Sequence, residues 1–376
     1  MAETEVLVGT RKGLFVLRGD RGGPFEIAAR CFENDNVEYA CFDARSGTYL
    51  AAVTHWPEEV AQYFPGSRFG PHIYLASDVG GDWQDAEGPA FPDGTGAKVE
   101  RTWVIQPGAE EGVLWAGVAP AALFRSDDGG RSWTLNRALW DHPSRPGWQG
   151  GGAGLCLHSI CPYLGDPMRL SLAISAAGVW HTDDGGATWR RGIKGLPRWP
   201  DDAPDDSMIM CVHNMHRAQA EPGTLYMQFH GGVYRSDDAG DTWQPIADGL
   251  PSDFGLPMAL DPSDPDRAFV IPLGSERDRV TLDGRVRVYE TRDRGNSWHA
   301  LTDGLPQKDA YLTILRQAFC SGASNPLGLF FGATSGDVFG SSDGGRSWFA
   351  AARHLPPVLS VRMGRSEPSL PSTGDS

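Results

Sequence analysis

The chain has 376 residues, 40% of them apolar, which is enough to bury a large core. A formal charge of -15 argues against a general nucleic-acid binder, and no apolar run is long enough to span a bilayer or act as a secretory leader. These features point to a cytoplasmic protein without a membrane partner, and six irregularly spaced cysteines read as free thiols rather than a disulfide framework.

In chain order, residues 5–10 and 13–18 are short apolar strands, and an acidic turn then begins to recur. Its full form, Ser236-Asp237-Asp238-Ala239-Gly240-Asp241-Thr242-Trp243, reads Ser-x-Asp-x-Gly-x-Thr-Trp. A remnant ends at Phe25 (Asp20, Gly22) and a weaker copy at Trp83 (Asp78, Gly80). Fuller copies end at Trp133, Trp189, Trp243, Trp298 and Trp348, so the closing aromatics recur every 50 to 58 residues. Such a period marks an array of equivalent units. Asp accepts from backbone N–H groups inside a tight turn, Gly takes the positive φ, and Trp starts the next strand with a large apolar face. One invariant carboxylate per turn is too few for a calcium loop.

The unit before Trp243 has strands at 208–214, 224–230, 232–235 and 242–247. Four antiparallel strands in each of seven units predict an all-β, seven-bladed β-propeller over residues 1–363, with a loose tail at 364–376. The first unit lacks an innermost strand, and Val358–Met363 is an innermost strand without a unit. Pairing it with 5–10 would close the ring. Segments 137–152 and 197–206 are Pro/Gly/Asp-rich insertions that overhang one face.

These boxes resemble those of the Asp-box (BNR-repeat) propellers, commonly labelled sialidase-like or glycosyl hydrolase. Similar boxes occur in xyloglucanases, sortilin-type receptors and photosystem assembly propellers. The resemblance covers nearly the whole chain and implies the fold far more than the activity. True sialidases carry an early Arg-Ile-Pro motif and six blades. This chain has Gly9-Thr10-Arg11-Lys12-Gly13 there and seven units, so classical sialidase activity is not expected.

Chemistry in such a ring belongs at the channel mouth opposite the boxes. Aligning the innermost strands on 104–107, 159–162, 214–217 and 259–262 puts Trp103, His158, His213 and Met258 in equivalent places. Cys156 and Cys211 stand two residues before the histidines. His230 and His55 close second strands at the same face. Imidazoles converging from several strands suit a divalent metal such as zinc, with His158, His213 and His230 as ligands and a thiolate as a further one. Without metal the same histidines would serve as acid or base, His55 among them. Arg316, in a strand expected at 313–318, with Arg11 and Lys12, would hold an anion, and Trp56, Trp103 and Glu38 would line the substrate. An inner-strand histidine or cysteine can equally be a hydrogen-bonded core residue. The leading expectation is an intracellular enzyme, a hydrolase or lyase, acting on a small sugar-like or anionic molecule. The rival is a non-catalytic propeller that docks a protein.

Overall fold

The computed structural model describes residues 3–20, 22–63, 67–197 and 210–365. Seven four-stranded antiparallel sheets form a seven-bladed β-propeller. Six blades run in simple chain order, as in blade 5: Val212–Arg217, Leu225–Phe229, Gly232–Ser236 and Gln244–Pro245. The first blade is composite, with Val358–Met363 hydrogen-bonded to Glu3–Thr10 in the register Val6 to Met363 and Thr10 to Val358. Closure therefore follows the expected pairing and leaves neither terminal strand as a free edge.

Five turns show why the box recurs. In blade 5 the Ser236 hydroxyl donates to Asp238 Oδ1 at 2.8 Å and accepts from the Gly240 N–H at 2.8 Å. Asp238 Oδ1 also accepts from the Thr242 N–H, and Oδ2 from its hydroxyl at 2.6 Å. The same set recurs around Asp128, Asp184, Asp293 and Asp343. Each carboxylate is consumed inside its own turn. Three of the closing tryptophans then reach the preceding blade through their ring N–H. Trp189 Nε1 donates to Asn136 Oδ1, Trp243 to the Gly192 carbonyl and Trp298 to the Ile246 carbonyl. Phe25, the remnant, makes this contact by packing its ring on Phe330 and Phe349 of the last blade, 5.4 and 5.6 Å between centroids.

Two strand boundaries differ from expectation. The inner strand of blade 5 is Val212–Arg217 rather than 208–214, and residues 208–209 lie outside the described residues. The inner strand of blade 7 is Phe319–Ser321; residues 313–318 approach the channel without pairing in a blade, apart from a bridge between Gln317 and Ser360. Apolar content alone could not separate strand from an approach segment that packs equally well, as Ile314 and Ala318 do. Segment 137–152 holds two short helical turns, Arg137–Trp140 and Arg145–Gly147. Of the second insertion only residue 197, and of the tail only Gly364 and Arg365, fall within the described residues.

The seam is locked by a buried carboxylate. Glu5 Oε1 accepts from the Tyr49 hydroxyl at 2.6 Å and the Arg365 N–H at 2.9 Å, and Oε2 pairs with Arg18 at 2.7 Å. Val358 and Val361 are fully buried. Removing everything after residue 357 should cost about 5 kcal/mol in lost burial and hydrogen bonds, a fall in melting temperature of roughly 5–10 °C. Removing only the residues after Arg365 should leave the midpoint within about 1 °C. Equal effects in differential scanning calorimetry would refute closure at this seam.

Candidate functional site

Four of the predicted site residues share one backbone device. In blades 2 to 5 the inner strand slips register by one residue near its start. The slips fall between Val37 and Tyr39, Thr102 and Val104, Leu157 and Ser159, and Val212 and Asn214. The residues left unpaired by these bulges are Glu38, Trp103, His158 and His213. A bulge bends the strand and re-aims the extra side chain, which is why bulges gather beside binding sites. It also breaks the period-two alternation that would tie each histidine to the cysteine two residues before it.

His158 and His213 use the device differently. His158 is fully buried; its Nε2 lies 3.0 Å from the Val212 carbonyl of the next blade and its Nδ1 3.0 Å from Ser159 Oγ. Burial, then the charge of Arg316, holds its imidazole well below the ordinary value, so it is a neutral blade-to-blade tie. His213 donates from Nδ1 to the Gly255 carbonyl of blade 6 at 2.6 Å, which leaves Nε2 as the unprotonated nitrogen. His230, just beyond the second strand of blade 5, is tied to Cys211 by its N–H to the Cys211 carbonyl at 3.0 Å. Its Nε2 lies 2.9 Å from Glu276 Oε2, which leaves Nδ1. The two rings stand edge to face, 5.3 Å apart, and both touch Phe254.

Cys211, His213 and His230 bring one ligand atom each to within 4.8 Å of one another. The structure thus assembles two of the three predicted imidazole ligands and adds the thiol of Cys211, while His158 sits outside the group. Burial alone would push the Cys211 thiol up. Hydrogen bonds with His213 and His230, aided by Arg316, outweigh burial and bring it down to about 6. The bond to Cys211 holds the His230 imidazole above its ordinary value; burial opposes this and Glu276 adds to it. Both shifts favour a thiolate beside an imidazolium.

Of the remaining predicted residues, Arg316, Trp103 and Glu38 are joined through Arg101. Arg316 lies over the Trp103 ring at 5.0 Å, with Nη1 3.8 Å from the buried Cys156 Sγ. Arg101 covers the same ring at 5.3 Å and reaches Glu38 at 3.7 Å. Burial raises Glu38, against the charges of Arg101 and Arg11. Arg11 and Lys12 are exposed in the turn after the first strand. His55 lies apart in blade 2, with Nδ1 on Asp35 at 3.0 Å and Nε2 on the Tyr74 hydroxyl at 2.7 Å. Trp56 follows it, 47% exposed. Glu276 was missed: it sits in a loop of blade 6 that no local pattern connects to His230.

No family model matches the chain. A stretch of 74 residues is 32% identical to vacuolar protein sorting/targeting protein 10 of Colletotrichum graminicola, which is 20% of this chain and 4% of that one. An ancestral GH74 enzyme shares the fold with a TM-score of 0.54 at 16% identity, over 84% of this chain and 38% of that one. YCF48 from Cyanidioschyzon merolae does so with 0.50 at 13% identity, over 84% of each. The chain therefore spans well under half of the GH74 enzyme and a small fraction of the curated relative. At these identities the likeness is one of fold.

The thiolate at Cys211 gives a selective handle. Burial raises Cys41 and Cys320 to about 12 and Cys161 to about 11. In chelator-stripped protein, iodoacetamide should therefore modify Cys211 first, with half-maximal rate near pH 6. A profile that rises only above about pH 8, or first adducts elsewhere, would refute the Cys211–His230 pairing.

Proposed function

We propose that the protein is an enzyme that uses a divalent cation, zinc by ligand type, to act on a small anionic or sugar-like molecule at the channel mouth. The observation that carries this reading is the convergence of Cys211, His213 and His230, with one ligand atom of each within 4.8 Å of the others. One thiolate and two neutral imidazole nitrogens are a zinc donor set, and three protein ligands leave a position for water or substrate. The supports beyond the ligands fit as well. The Gly255 carbonyl fixes the His213 tautomer and Glu276 orients His230, as outer partners of metal-bound histidines do.

Zinc in such a site supplies Lewis acidity and a water of lowered pKa. The chain's own residues supply the rest. Arg316 faces the mouth with its charge stacked on Trp103 and opposed by no carboxylate within ion-pair reach among the described residues, which suits an anionic substrate group. Trp103 offers an aromatic face to a sugar ring. Hydrolysis or elimination is the reaction class this supports, and a thiol ligand implies a reducing, intracellular setting. The repeated Ser–Asp–Gly–Thr/Ser–Trp hydrogen-bond pattern supports membership of the Asp-box propellers. One observation favours a docking scaffold instead: Trp56 and Tyr63 are 47% and 70% exposed beside the second-strand end of blade 2.

Elemental analysis after expression with added zinc should find one zinc per chain. Cys211→Ser and His213→Ala should each abolish it while keeping the circular dichroism of the parent. Glu276→Gln should weaken zinc binding by about 10–100-fold. Metal-free parent protein after zinc repletion, or full zinc content in His213→Ala, would overturn the reading and favour the scaffold.

A further inference from the structure

The other end of the channel holds a second site of opposite character to the protein's surface. A cavity of about 260 Å³ opens there, lined by residues late in the inner strands, among them Gln106, His216, Arg217 and Arg362. It lies on the side of the box turns, and none of Cys211, His213 and His230 is among its lining residues. Among the described residues no aspartate or glutamate lines it, in a chain of net charge -15.

Its two arginines are held in place by neutral oxygens. Arg217 Nε donates to the Cys161 carbonyl at 3.4 Å and Nη2 to Ser171 Oγ at 2.6 Å, with Nη1 on the Pro222 carbonyl. Arg362 donates from Nε to the Tyr39 hydroxyl at 3.0 Å and from Nη1 to the Gln317 carbonyl at 2.7 Å, with Nη2 on the Gln317 side chain. Neither has a carboxylate within ion-pair reach among the described residues. These bonds fix the guanidinium planes without cancelling their charge, and a low-dielectric channel wall strengthens the field that remains. Between them the half-buried His216 keeps its Nε2 out of solvent and without a partner. Exposed Gln219 and half-buried Gln106 stand at the rim with amide donors.

We propose that this box-side cavity binds a small organic carboxylate, separately from the metal cluster at the opposite mouth. The fixed positive charges draw the anion in, the rim amides meet its oxygens, and Met215, Met258 and Leu260 contact its carbon skeleton. A cavity of about 150 Å³ holds benzene, so this one takes a molecule of roughly ten non-hydrogen atoms.

Isothermal titration calorimetry of the full chain at pH 7 with succinate, and with its neutral diamide succinamide, tests this. Saturable one-to-one binding of succinate at about 1 mM or tighter is expected, with no binding of succinamide at the same concentrations. Gln219→Glu and Gln106→Glu put a carboxylate at the rim without disturbing the core, and each should weaken succinate binding at least about tenfold. Cys211→Ser should leave it unchanged, so loss of the metal site and loss of this one are read apart. No saturable heat with succinate, equal binding of succinamide, insensitivity to both rim substitutions, or loss of binding in Cys211→Ser would each overturn the proposal.

Discussion

A propeller stands or falls on the backbone hydrogen bonds that join its last strand to its first. Every other blade covers its neighbours' faces, and only at the seam must two distant parts of the chain meet. Here Val358–Met363 takes the innermost place beside Glu3–Thr10. The buried Glu5 carboxylate ties that seam to blade 2 through Tyr49 and to the residue after the strand through Arg365. An unsatisfied carboxylate there would be costly to bury, so its three partners matter as much as the strand pairing. The closed ring then holds seven inner strands at fixed spacing around one channel, which a cluster on blade 5 supported by residues of blade 6 requires.

Within that frame, placement depends on which ring nitrogen a neighbouring blade takes. His158 and His213 occupy the same bulge in adjacent blades, and each is tied to the next inner strand. His158 spends its Nε2 on Val212 and its Nδ1 on Ser159. His213 gives Nδ1 to Gly255 and belongs to the cluster with Cys211 and His230. Equivalent sequence positions thus carry different chemistry because one hydrogen bond is moved across the ring.

Much of the fold was legible because each box is a local device. The spacing of Asp, Gly and Trp fixes a turn whatever surrounds it, and its period counts the blades. Alignment of the inner strands also picked out Trp103, His158 and His213, which turned out to be bulge residues. What stayed hidden depends on contacts between distant segments. Glu276 meets His230 only because a loop of blade 6 folds over blade 5. The commitment of His158 follows from a backbone carbonyl in another blade, which carries no side-chain signature. The separation of His55 likewise reflects Asp35 and Tyr74 in its own sector.

The central claim is that the Cys211 thiolate and two imidazoles share one cation. X-ray absorption at the zinc edge of the zinc-loaded protein tests it most directly, because the scattering shell reports ligand identity. The account predicts one sulfur at about 2.3 Å with two imidazole nitrogens and one further light ligand at about 2.0 Å. A shell of oxygen and nitrogen alone, or one with several sulfurs, would contradict it.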